Sequence, residues 1–489
     1  YDIFIDQMSS GNNQDILNDI FEIYARSKPE ELRKTIEKHF IPTLEQRKNN
    51  AEIPTPVKLV DDMINKLRDY DPEYFTHKNK TFEPCCGKGN FILAIFEKYF
   101  DGLSYIEDEI ERCRTIIEEC IYFCDIDDIN VYITRILLMC HALSKLGKDT
   151  WSDWNKVLTI SEFKYNCYVG NTLAEYDKII SEWNITGFNG IIGNPPYNNK
   201  QNNSGKKGGG DHLWNKFVTE SLNKWLLKDG YLVYVHPPSW RKPESLNSKT
   251  KGLFKLLTND NHMIYLEIHD LSDGKRVFNA GTRYDWYVVQ NRYNPGEKSK
   301  IRDEKGLYYE LDLMNWKFLP NYNYDIIRSI LTTSNDHVPI IFSASNYESR
   351  NDYVIDKGVI SDKAVISDIE ATGFKYKLIH TTPKKGPRYL WSSRNDKVDK
   401  DGGNKMFGIK KVIFGDSGIN DVIIDIDGTL GMTQHAMAIK VKDLSEAKKI
   451  KNILESDKFN EILKALSYSN FQIDWRIFRY FKSNFYELL

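Results

Sequence analysis

Apolar and polar positions along the chain change period several times, and each change marks a boundary. Up to residue 50, apolar side chains recur at helical spacing, as in Ile16, Ile20 and Ile23 and again in Leu32, Ile36 and Phe40, which predicts an N-terminal helical region over 1–50. Ile53-Pro54-Thr55-Pro56 interrupts the pattern, and Val57 to Ile64 opens a new amphipathic helix with Pro56 near its first turn. From there to residue 295, short apolar runs alternate with helical stretches. The run ending at Glu83, Ile121 to Asp127, Asn166 to Val169, Phe188 to Ile192, Tyr231 to Val235, and finally Val277-Phe278 with Tyr284 to Gln290 read as strands. A helix is expected from about Leu213 to Leu227. Strands alternating with helices predict an α/β domain built on a largely parallel sheet over 51–295. Beyond residue 295 the pattern turns to short strands, many tyrosines and frequent Gly, Asn and Asp, closing on a helical stretch from Ser456 to Phe481, so 296–489 reads as a second domain.

Composition narrows the partners. The 489 residues are 41% hydrophobic and 28% charged, which is globular, and no long uncharged apolar run predicts a membrane span; a soluble, cytoplasmic protein is expected. All seven cysteines lie before residue 170 without paired ligand spacing, fitting a reduced compartment and no structural zinc. A net charge of -2 excludes a uniformly basic nucleic-acid binder, so any polyanion contact must come from a local patch. Such a patch lies between residues 371 and 411. Lys375, Lys377, Lys384, Lys385, Arg388, Arg394, Lys397, Lys400, Lys405, Lys410 and Lys411 face only Asp396, Asp399 and Asp401, and Phe374, Tyr376, Tyr389, Trp391 and Phe407 are interleaved with them. A solvated charged face is the alternative reading of such a run; the aromatics favour nucleic acid.

Three strand ends carry the candidate chemistry. After Ile192 the chain runs Gly193-Asn194-Pro195-Pro196-Tyr197, a turn too stiff to continue as strand or helix, at the carboxyl edge where open α/β sheets place their ligands. The Asn194 amide oxygen and the Pro195 carbonyl can accept both hydrogens of an exocyclic amine while Tyr197 stacks on its ring. An ordinary proline turn is the alternative. In Glu83-Pro84-Cys85-Cys86-Gly87-Lys88-Gly89-Asn90-Phe91, two glycines between a strand and a helix N-terminus permit close approach of a ligand. It is neither a dinucleotide fingerprint nor a P-loop. Asp125, at the end of the second strand, is placed to accept both ribose hydroxyls of an adenosine-containing cofactor, unless Asp127 and Asp128 merely make the loop acidic. Asn171, after the third strand, could bond the adenine edge.

Taken together and in this order, these motifs resemble the S-adenosylmethionine-dependent amino-group DNA methyltransferases, in particular the adenine-N6 group, over residues 53 to 290 and with the motif order of the gamma subgroup. The resemblance implies a doubly wound, Rossmann-like methyltransferase domain followed by an α+β target-recognition domain. It implies S-adenosylmethionine held by Thr55, Glu83, Pro84, Cys85, Gly87, Gly89, Asp125, Ile126 and Asn171; catalysis by Asn194, Pro195, Pro196 and Tyr197; and a flipped target adenine lined by Tyr197 and Phe278. With the basic patch beside it, double-stranded DNA is the expected partner, bound through Lys384, Lys385, Arg388 and Arg394; no metal-ligand cluster is found in the sequence, and a cognate restriction endonuclease is a candidate partner. Two positions depart from the family pattern: Asn171, where Asp is commoner, and Asn189, where Asp is usual. The same turn serves RNA bases and protein amides in related enzymes, and a catalytically idle DNA-binding subunit is a further alternative.

Overall fold

A computed structural model describes residues 54–147, 154–197, 213–244, 248–342, 355–356, 359–360, 366–396, 405–468 and 473–489. The expected helical region over 1–50 lies outside the described residues. Two compact units emerge, one running to Lys317 without residues 241–243, the other formed by Arg241–Pro243 with Phe318–Leu489.

The first unit is a doubly wound α/β domain. Helix α1 (Val57–Tyr70) buries Val60, Met63, Ile64 and Leu67, the stripe its spacing predicts. There follow β1 (Thr81–Glu83), α2 (Asn90–Gly102), α3 (Glu109–Thr115), β2 (Ile121–Asp125), α4 (Asp128–Lys145), α5 (Trp154–Ser161), β3 (Asn166–Val169), α6 (Thr172–Trp183) and β4 (Phe188–Gly193). Then come α7 (Leu213–Glu220), β5 (Leu226–His236), β6 (His262–His269), α8 (Leu271–Phe278), β7 (Tyr284–Gln290), β8 (Ser299–Arg302) and β9 (Tyr308–Leu311). The sheet order is β3-β2-β1-β4-β5-β7-β6-β8-β9. Strands β1 to β5 pair in parallel, and β7 runs antiparallel to both its neighbours. Strand order therefore reverses between β1 and β4, and the crevice at that switch point is where such sheets hold ligands.

Three expectations change here. The first unit extends to Lys317, not 295: Asn294 ties its own turn by accepting from the Gly296 and Glu297 amides, and the chain returns as β8 alongside β6 and as β9. Pro295-Gly296 is thus a turn within the domain rather than a linker. Val277-Phe278 closes helix α8 instead of forming a strand, because Asp270 caps it by accepting from the Asp273 amide. The helix from Leu213 ends in one π turn, Ser221–Trp225, and β5 begins at Leu226 and carries Asp229-Gly230 within it.

The second unit is α+β. It holds one antiparallel sheet in which the strand Ile340–Phe342 pairs with Ala436–Lys440, which pairs with Lys411–Gly415, which pairs with Ile423–Asp425. A second sheet is built on the hairpin of Tyr376–Thr381 and Arg388–Ser392. Leu378, Ile379, Leu390, Phe407, Ile413 and Met432 share one core. The helical end is Asp457–Ala465 followed by the 3-10 turn Trp475–Tyr480.

Candidate active site

The glycine loop after β1 is shaped by hydrogen bonds to the neighbouring strand and helix. Gly87 and Gly89 have φ of +50° and +82°, conformations that favour glycine. A Cβ on Gly87 would meet nothing within 4 Å, whereas one on Gly89 would press on Thr134 at 2.9 Å. The loop is open at its tip and closely packed at the start of α2. Asp125, buried at the end of β2, accepts from the Gly87 amide at 2.9 Å, the Asp127 amide at 2.9 Å and Asn130 Nδ2 at 3.3 Å. Burial pushes the Asp125 carboxyl above the usual carboxylate range, and those donors pull the other way.

Glu83 closes β1 with only 2% of its surface exposed, and its Oε2 has no hydrogen-bond partner. Burial, and next the charge of Asp125, push its carboxyl well up. An unpartnered buried carboxylate oxygen is costly and is a ready acceptor for a cation. Burial likewise pushes the Cys85 and Cys86 thiols up, which disfavours their thiolates. Pro84 is fixed through its carbonyl, which accepts from Thr172 Oγ1 at 2.9 Å. Ile126, next to Asp125, is an apolar side chain 66% exposed. Asn171 follows β3 one residue after Gly170, whose amide donates to the Asp125 carbonyl at 2.9 Å; Asn171 Oδ1 caps α6 by accepting from the Leu173 amide at 3.1 Å.

Asn194, Pro195, Pro196 and Tyr197 leave the sheet directly after β4, between the ends of β1 and β5. Asn194 Nδ2 donates to Thr55 Oγ1 at 3.1 Å, and Thr55 is in turn held by Asn90 Nδ2 donating to its carbonyl at 2.9 Å. Thr55, expected at the cofactor, is bonded through its hydroxyl to the asparagine of this turn. Burial pushes the Tyr197 phenol up, and its hydrogen bond with Asn194 opposes that. The turn is anchored beyond by the Leu213 amide, which donates to the Tyr197 carbonyl at 3.2 Å. Behind it on β5, His236 stacks on Trp214 with centroids 4.2 Å apart and meets the Tyr287 hydroxyl at 2.8 Å. Asn189 Oδ1 accepts from the Lys80 amide at 2.9 Å, a task a carboxylate would share, so the departure at that position keeps the acceptor. Phe278 meets Tyr284 edge-on at 4.9 Å, and Tyr284 stacks on His269 at 4.3 Å.

In the second unit, Lys384, Lys385 and Arg388 are exposed around the turn of the hairpin. Lys377 Nζ lies 3.8 Å from the Tyr389 ring centroid on the adjoining strand. Arg394 forks onto Asp396, with Nε and Nη2 at 3.0 and 2.9 Å from its two carboxylate oxygens. Lys411 leaves the patch altogether: it is buried and bonds Asp425 at 2.5 Å. Lys397 and Lys400 lie outside the described residues. Among the described residues no His, Cys, Asp and Glu cluster could hold a metal ion, and no helix is long and apolar enough to cross a membrane.

Strand order, glycine loop and acid at the second strand end define a Rossmann-like α/β domain followed by a further domain. Residues 119–278 match the model of the Eco57I restriction-modification methylase family, so the motif resemblance is met by a family match over that segment. No curated protein matches the chain. Among solved structures, a nuclease-deletion mutant of the Type ISP restriction-modification enzyme LlaGI, in complex with a DNA substrate mimic, is similar over 91% of this chain at 13% identity and a TM-score of 0.52. The chain spans about half of that protein, 47% of its length. The Type IIL restriction-modification enzyme MmeI, in complex with DNA, is similar over 93% of this chain and 71% of its own at 11% identity and a TM-score of 0.52. At these identities the likeness is one of fold.

Proposed function

We propose that the chain is a DNA methyltransferase that moves a methyl group from S-adenosylmethionine to N6 of an adenine flipped out of the duplex, in the setting of a restriction-modification system. The observation that carries the reading is the bond from Asn194 Nδ2 to Thr55 Oγ1, which holds the carboxamide in place at the carboxyl end of β4, where its oxygen is of the chemistry to accept from a substrate amine. The residues fit the cofactor. The unpartnered Glu83 Oε2 suits the ammonium of its amino-acid end, open space at Gly87 admits close approach, and the exposed Ile126 offers an apolar face for the adenine beside Asp125. When bound, the cofactor supplies an electrophilic methyl group.

The chain's own residues do the rest. An aromatic amine is a poor nucleophile because its lone pair is delocalised into the ring. Acceptors at Asn194 Oδ1 and the Pro195 carbonyl draw its hydrogens out of plane, localise the lone pair and stabilise the positive charge that develops on nitrogen. Tyr197 and Phe278 receive the extruded ring, offsetting part of the stacking lost in the duplex. The exposed Lys384, Lys385 and Arg388 grip phosphates. Labelled S-adenosylmethionine incubated with duplex DNA, followed by mapping of modified adenines, tests the reading. Label recovered in RNA or protein but not in DNA, or in no polymer at all, would overturn it.

A further inference from the structure

Helix α4 starts just after Asp125, and two polar side chains one turn apart on it, Asn130 and Thr134, both reach the glycine loop. Thr134 Oγ1 donates to the Gly87 carbonyl at 3.1 Å. Asn130, 2% exposed, works in two directions: its Nδ2 donates to Asp125 Oδ1 at 3.3 Å and its Oδ1 accepts from Lys88 Nζ at 2.5 Å. A carboxamide is a neutral group that can bridge a carboxylate and an ammonium in this way. We propose that Asn130 is a positioning residue of the cofactor site, fixing the Asp125 carboxylate toward the ribose while tethering Lys88 across the loop. The inference rests on the reading of Asp125 as the ribose acceptor.

The electrostatics make this role selective. Burial chiefly opposes the ionisation of Asp125, and the charge of Asp127 in the following turn adds to it; Glu83 on β1, whose own carboxyl Asp125 helps push up, and the Cys85, Cys86 and Cys124 thiols, pushed well above their ordinary range, bring no positive charge. What favours the carboxylate is the set of three donors: the Gly87 amide, the Asp127 amide and Asn130. Only the last is a side chain that can be altered without touching the backbone. A protonated Asp125 loses part of its capacity to accept from two hydroxyls, so removing the Asn130 donor weakens binding most where the pH is low.

The test uses the full chain and calorimetric titration with S-adenosylmethionine across a pH series. Asn130→Ala is expected to weaken binding roughly tenfold or more and to move the acid limb of the affinity profile to higher pH. Asn130→Asp, nearly isosteric, keeps an acceptor for Lys88 but sets a carboxylate against Asp125, so it should bind at least as poorly with the larger pH shift. Adding Asn130→Ala to Asp125→Ala should cost little more, because the two act as one unit. If Asn130→Asp binds like the wild type, or the losses are additive with an unmoved pH profile, the inference is wrong. Should Asn130→Ala fold poorly by thermal melting, Asn130→Asp carries the test alone. A wild-type chain that does not bind the cofactor overturns the cofactor reading itself, a separate outcome.

Discussion

Replacing Thr55 by Val removes one hydroxyl while keeping the branched shape, and it acts on one contact that matters, the 3.1 Å hydrogen bond from Asn194 Nδ2. The bond from Asn90 to the Thr55 carbonyl is made to backbone and survives the substitution. Losing a hydrogen bond at a half-buried amide costs about 1 to 2 kcal/mol. If that cost falls on the reacting geometry, the rate of methyl transfer drops roughly fivefold to thirtyfold, since about 1.4 kcal/mol is a factor of ten. The drop should be smaller than for Asn194→Ala, which deletes the acceptor itself and should cost on the order of 3 kcal/mol. Single-turnover transfer of tritium from S-adenosylmethionine to duplex DNA reads the rate, and calorimetry reads cofactor affinity. The expected result is a slower transfer with unchanged affinity. A Thr55→Val protein that transfers at the normal rate but binds the cofactor weakly would falsify the assignment of Thr55 to Asn194 and return it to the cofactor.

Other perturbations give equally distinct outcomes. Asp125→Ala should weaken S-adenosylmethionine by about 1 to 3 kcal/mol and also loosen the glycine loop, since the Gly87 and Asp127 amides lose their acceptor; hydrogen exchange at those amides reads the second effect. Because burial holds the Glu83 carboxyl well above its ordinary value, the folded state binds its proton more tightly than the unfolded chain. Its penalty is absent below the unfolded pKa and grows as pH rises toward the folded one, so Glu83→Gln should raise Tm over the wild type increasingly with pH while abolishing cofactor binding. Replacing Lys384, Lys385 and Arg388 together by Ala should weaken duplex binding and flatten its salt slope by about one unit per lost phosphate contact, with cofactor affinity unchanged; superimposable salt series would end that assignment. Lys411→Ala should instead destabilise the second unit by about 3 to 5 kcal/mol in a denaturant melt, because it strands the buried Asp425 carboxylate.

The sheet and its strand ends were legible because each combines a β-rich run with a local signal that the backbone must leave: the prolines after Gly193, the glycines after Cys86, the acid at Asp125. The side-chain tie from Thr55 to Asn194 could not be read, since it joins positions far apart in sequence through the fold alone. The end of the first domain was misplaced because Pro295-Gly296 looks the same in a turn as in a linker until Asn294 is seen to cap it. Phe278 was assigned to a strand, although Asp270 and Asp273 around the start of α8 carry a helix-start signal that could have been weighed. Lys411 was counted with its neighbours by charge; a lysine inside Lys411–Gly415, an otherwise apolar strand, is the pattern that could have marked it as buried.

The contact between Thr55 and Asn194 also bears on how the protein can be dissected. Every strand-end residue discussed here lies at or beyond β1, so a fragment trimmed to the sheet, starting just before Thr81, would look complete by motif. It would lack α1, whose buried stripe covers part of the core, and it would lack the hydroxyl that orients the asparagine of the turn. Even if fusion kept such a fragment in solution, its Asn194 carboxamide would be held by one hydrogen bond fewer. A useful minimal piece for crystallography or directed evolution therefore has to begin upstream of Pro54, and libraries that randomise the stretch from Pro54 to Pro56 will sample turnover as directly as libraries built on the asparagine turn itself.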